Sequence, residues 1–95
     1  MEGEEILTEK DIEEFKQFRK QLRALEKKIA DTYGYNYSPQ LLEFFTSINK
    51  LIKIINTVIK RRKITETEKN EIAELTESVQ EIISYISRVN PFFFF

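Results

Sequence analysis

Residues 38–62 read SPQLLEFFTSINKLIKIINTVIKRR, and the fold of this stretch decides the architecture of the chain. Ser38 followed by Pro39 is a helix start: the serine hydroxyl caps free N–H groups of the first turn. Proline at the first helical position gives up only a donor that has no partner there. Beyond them, Leu41, Leu42, Phe44, Phe45, Ile48, Leu51, Ile52, Ile54, Ile55, Val58 and Ile59 cover a wide arc of a 3.6-residue helix. Glu43, Ser47, Lys50, Lys53, Thr57 and Lys60 are left on one narrow polar strip. So wide an arc needs two neighbours, or one neighbour and a second chain.

Two further amphipathic segments supply neighbours. Upstream, Thr8 and Asp11 form a capping-box-like start, and Ile12, Phe15, Phe18, Leu22, Leu25 and Ile29 then recur at spacings of three and four. Downstream, Thr65-Glu66-Thr67-Glu68 is a capping box. Ile72, Leu75, Val79, Ile82, Ile86 and Val89 continue as a coiled-coil-type seam until Asn90-Pro91 stops the helix. The connection DTYGYNYS, built around Gly34, is short, and short connections give antiparallel neighbours.

The predicted fold is therefore all-α: one domain over 1–95, an antiparallel up-down-up three-helix bundle. Its helices are expected over 9–30, 39–62 and 66–89, with an aromatic tail over 91–95. Dimerisation through the second helix, giving a homodimer, is the alternative use of its wide arc.

The composition agrees with solvated helices. A third of the 95 residues (33%) are charged, against two glycines and two prolines. Cysteine and histidine are both lacking, which removes thiolate ligands, the commonest metal ligand and the commonest general base. The seam positions are apolar, without the Glu-x-x-His pattern of helical di-metal sites, and Glu66, Asn70, Glu74 and Glu77 follow a face turned away from the seam. No phosphate-binding loop or nucleophile motif is present. A protein that is not an enzyme is expected, with no cofactor and no metal site. Asn49 and Asn56, seven apart beside the apolar arc, read as residues that set packing register. No apolar run reaches the ~20 residues that span a bilayer, and the acidic start MEGEEILTEK lacks the basic region of a signal peptide. A cytoplasmic protein without membrane contact is expected.

Charge is sorted along the chain: residues 1–15 and 66–95 are acidic, 16–28 and 31–65 basic. Lys60, Arg61, Arg62 and Lys63 end the second helix, where cations complement the helix dipole. The antiparallel fold brings them beside acidic residues between Glu2 and Glu14 and between Glu66 and Glu74, so internal pairing is expected. Lys16, Lys20, Arg23 and Lys27 repeat at helical spacing, flanked by Arg19 and Lys28, and read as a solvated face. The two groups together define an alternative: a nucleic-acid-associated protein that contacts phosphates directly.

The last stretch, VNPFFFF over 89–95, is the most water-averse. In an up-down-up bundle the first connection, the start of the second helix and the end of the third share one pole. That pole gathers Tyr33, Tyr35, Tyr37, Phe44 and Tyr85 with Phe92, Phe93, Phe94 and Phe95. Three readings compete: the tail plugs its own bundle, it docks in a groove of another protein, or tails of identical chains meet. The partner-binding set expected on the docking reading is Tyr33, Tyr35, Tyr37, Tyr85 and Phe92 to Phe95.

Val89, Phe92 and Phe93 resemble the sliding-clamp-binding peptide of replication proteins, with Ile86 where that motif has its leading glutamine. Ser38, Leu41, Phe44 and Phe45 form a second, partial match on the second helix. The whole chain, rich in isoleucine and lysine, is similar in style to small helical proteins of thermophilic archaea and their viruses. In size, helicity and composition it resembles the small helical accessory subunit of the archaeal B-family replicative DNA polymerase. That resemblance implies a non-catalytic accessory or adaptor subunit of a DNA-replication or other nucleic-acid-processing complex. Its partner would be a larger protein such as a DNA polymerase.

Overall fold

The computed structural model describes residues 3–33 and 38–89, and of Val89 the backbone alone. The elements are β1 (Glu4–Ile6), α1 (Glu9–Tyr33), α2 (Pro39–Arg61), β2 (Lys63–Thr65) and α3 (Glu66–Val89). Among the described residues the chain is an all-α arrangement of three helices with a small two-stranded sheet.

Each helix starts where a side chain satisfies its free N–H groups. At α1 the Thr8 N–H donates to the Asp11 carboxylate (3.0 Å) and the Asp11 N–H to the Thr8 hydroxyl (3.1 Å). Ser38 accepts from the Leu41 N–H at 3.2 Å ahead of Pro39. At α3, the Thr65 N–H donates to Glu68 (2.9 Å) and the Glu68 N–H to the Thr65 hydroxyl (3.1 Å). α2 stops at Arg61 because Arg62 turns left-handed, φ 61° and ψ 27°, and its N–H closes onto the Val58 carbonyl at 2.8 Å.

Three local features depart from expectation. α1 continues past residue 30 to Tyr33, whose ring packs on the core, while the Thr32 hydroxyl donates back to the Lys28 carbonyl (2.8 Å). α2 ends one residue before 62 for the reason just given. The stretch ahead of α1 is extended and pairs antiparallel with β2: Glu4 opposite Thr65, Glu5 opposite Ile64, Ile6 opposite Lys63. The Leu7 N–H adds a bond to the Arg62 carbonyl at 3.1 Å. Burial explains the ribbon, since it lets Leu7 and Ile64 enter the core beside Ile12 and Val58.

The core forms three clusters along α2. Val58, near its end, meets Ile12 from the start of α1. Leu51 and Ile55 meet Leu22, with Ile72 and Leu75 of α3 alongside. Leu41, Phe44 and Ile48 meet Ile29 from the far part of α1 and Val79, Ile82 and Ile86 of α3. Ile29, Phe44, Ile48, Leu51, Ile55 and Val58 are fully enclosed. The wide arc of α2 is thus covered by two helices of the same chain. Leu42 is the exception, 54% exposed despite its place on that arc.

Candidate functional site

The aromatic end divides into core and surface. Phe44 is wholly buried, edge-on to Phe45 with ring centres 5.4 Å apart and planes at 76°. It belongs to the core, as its place on the apolar arc of the second helix leads one to expect. Tyr33 is half-buried against the same cluster. Tyr85 is 42% exposed. Leu41 and Ile86 share one buried cluster, so their exposed neighbours Leu42 and Tyr85 stand at the same end of the molecule. Leu42 was a core expectation, and sequence gives it no distinguishing mark. Tyr35, Tyr37, Phe92, Phe93, Phe94 and Phe95 lie outside the described residues.

The basic residues behave as two groups. Lys16, Lys20, Arg23 and Lys27 are all exposed along α1. In the tetrad, Lys60 and Lys63 are exposed, while both arginines are engaged. Arg61 donates to the Glu68 carboxylate and to the Lys63 carbonyl (3.1 Å), and its Nε lies 3.7 Å from Glu4. Arg62 pairs with Glu9, and Lys69 with Glu5 and, at 3.9 Å, with Glu66. These contacts join the acidic start of the chain to the α2–α3 connection.

The electrostatics follow from these partners. The hydrogen bond to Glu68 raises the Arg61 guanidinium above its ordinary value, and the bond to Glu5 does the same for Lys69. Partial burial pushes the Glu68 carboxyl up. Donation from Arg61 and from the N–H and hydroxyl of Thr65 outweighs that effect and leaves it below its ordinary value. Asp11 is lowered chiefly by the Thr8 N–H, then by its hydroxyl.

One polar contact was not anticipated. Arg19, expected on the flank of a solvated stripe, donates through Nη1 to Oδ1 of Asn56 at 2.7 Å, tying α1 to α2. Asn56 therefore sits where a register-setting residue would, whereas Asn49 is exposed.

Described residues line two depressions that bear on function. An open cleft of about 510 Å³ between α2 and α3 has Lys50 and Lys53 on one wall, Glu71 and Glu74 on the other. Its opposed charges complement one another. The second, about 240 Å³, lies between α1 and α3, which both pack on α2 but approach each other little. Its lining carries no charged residue.

Among the described residues, no group of three or more acidic side chains is arranged to hold a metal ion, and no helix is long and apolar enough to cross a membrane. No protein family matches the chain, no curated protein matches it, and no solved structure matches it.

Proposed function

We propose that this chain is a non-catalytic helical accessory or adaptor subunit that docks on a larger protein in a DNA-replication or other nucleic-acid-processing complex. Docking uses the aromatic end: Tyr33, Tyr35, Tyr37 and Tyr85 together with Phe92 to Phe95. The helices run up-down-up in this reading, which accords with the order in which residues of α1 and α3 meet α2 along the core.

The observation that carries the proposal is the exposure of Leu42 (54%) and Tyr85 (42%) at the end from which the phenylalanine stretch departs. Apolar side chains left in water beside a strongly apolar segment mark a surface for association. The test is affinity purification of the full chain with its C-terminus untagged. The protein captured by the wild type is expected to be lost on deletion of 92–95 and on Leu42→Ser with Tyr85→Ser, while helical circular dichroism survives. Undiminished capture by both variants sinks the proposal, as does collapse of helicity on the deletion.

The exposed row Lys16, Lys20, Arg23 and Lys27 supports a second reading, direct contact with nucleic acid. Binding through several phosphates weakens steeply with salt. A titration against duplex DNA that detects nothing at low salt removes this reading.

A further inference from the structure

The groove between α1 and α3 has the wrong chemistry for an ordinary solvated seam. In a chain that is 33% charged, its α1 wall is Phe18, Gln21, Leu22 and Leu25, and its α3 wall is Thr76, Val79, Gln80 and Ile83. The Thr76 hydroxyl is already spent on the Ile72 carbonyl at 2.6 Å, so it adds little polarity to the wall. Towards the end of α3 the same rim continues with Ser87, whose hydroxyl likewise donates to the Ile83 carbonyl, at 2.9 Å. On the α3 side an uncharged rim therefore leads from the groove toward the end of that helix, while on the α1 side exposed Lys28 follows Leu25. Leaving such a groove open to water forgoes roughly 25 cal/mol for each Å² of apolar surface that an occupant would cover.

We infer that this groove is the seat of the chain's own phenylalanine stretch, residues 92–95, folded back along α3. Three arguments select that occupant. The first is reach: Ile83 and Val79 lie six and ten residues before Val89, about 9 and 15 Å back along a helix axis. Phe92 to Phe95 follow three to six residues after Val89, enough chain to span roughly 10–20 Å if extended, and a proline at 91 disfavours helix in the residue before it. The second is charge: no side chain from Val89 to Phe95 is ionised, which matches an uncharged wall. The third is size: a cavity of about 150 Å³ holds a benzene molecule, so a groove of about 240 Å³ seats one phenyl ring with part of a second. The remaining rings stay available, and partner capture through the tail must compete with the groove. This consequence alone rests on the docking reading.

The experiment is methyl NMR on the full chain at two protein concentrations, wild type against the chain with Phe92→Ser, Phe93→Ser, Phe94→Ser and Phe95→Ser. In the wild type, ring currents are expected to displace the Leu25, Val79 and Ile83 methyls upfield at both concentrations. The substituted chain loses that displacement, while the Ile12, Val58 and Ile64 methyls stay in place. Gln80→Glu, which puts a charge on the exposed rim, is expected to reproduce part of the loss with helicity intact, and it stands in if the fourfold variant unfolds. Groove methyls that coincide in wild type and variants overturn the inference. A displacement that vanishes on dilution overturns it too, because the ring then comes from a second copy. No partner is present in this measurement, so its failure leaves the docking proposal standing, and failed capture leaves the groove result untouched.

Discussion

Arg19 and Asn56 are joined at 2.7 Å across the α1–α2 contact, each half-buried between the core clusters. A hydrogen bond to a charged donor contributes roughly 1.5–3 kcal/mol when desolvated, and partial exposure brings this to about 1 kcal/mol. Asn56→Ala and Arg19→Ala should each lower stability by about that amount in urea unfolding. Because both remove the same bond, the double variant should fall short of the sum by roughly 0.5–1 kcal/mol. Strict additivity shows that the pair is incidental.

The elements that were legible in the sequence are those whose signals are local. Thr8, Ser38 and Thr65 announce their helices because a cap needs only three or four consecutive residues, and each cap is in place. Periodicity likewise names Ile12, Leu22, Ile29, Val79, Ile82 and Ile86 as buried. The ribbon was illegible: Glu4–Ile6 and Lys63–Thr65 are three residues each, too short for a period of two, and what pairs them is the burial of Leu7 and Ile64. The Arg19–Asn56 bond and the α1–α3 groove escaped for another reason. Both depend on how far two helices rotate and separate on α2, which no single helix's pattern encodes.

Glu68 gives a pH dependence with a definite sign. Its carboxyl lies below the ordinary value of 4.5 in the folded chain, so the unfolded chain binds its proton more readily. The stabilisation is complete above that ordinary value and is lost as pH falls through the folded one. The stability gap between wild type and Glu68→Gln, measured by urea unfolding, should be open at pH 7 and shrink steadily on acidification below 4.5. A gap that stays constant or widens contradicts the assignment. Lys69, raised above 10.5, predicts the mirror image: its contribution is complete below that value and is lost as pH rises further.

Arg62 occupies a conformation that costs an L-residue roughly 1–2 kcal/mol and glycine almost nothing. Its side chain returns part of this through Glu9, but both groups are more than half exposed (53% and 83%), where such pairs contribute about 0–1 kcal/mol. Arg62→Gly should therefore raise stability by up to about 1 kcal/mol, a gain of roughly 4–8 °C in Tm for a chain of this size. Arg62→Asn should fall between. A lower Tm for the glycine variant would show that the contact with Glu9 dominates.

Phe44 and Leu42 lie two residues apart on α2 and should behave oppositely. Phe44 has no exposed surface and packs edge-on to Phe45, so Phe44→Ala removes a buried ring and leaves a cavity, a loss of about 3–5 kcal/mol. Against a total of roughly 5–15 kcal/mol for a domain, that is enough to shift the urea midpoint far down. Leu42→Ala trims a side chain already 54% in water and should change stability by less than about 0.5 kcal/mol. The same substitution should weaken partner capture if the exposed end of α2 is a docking surface. A large loss of stability at Leu42 would place it in the core and remove it from that surface. A small loss at Phe44 would mean that the core around the starts of α2 and the end of α3 is not packed as described.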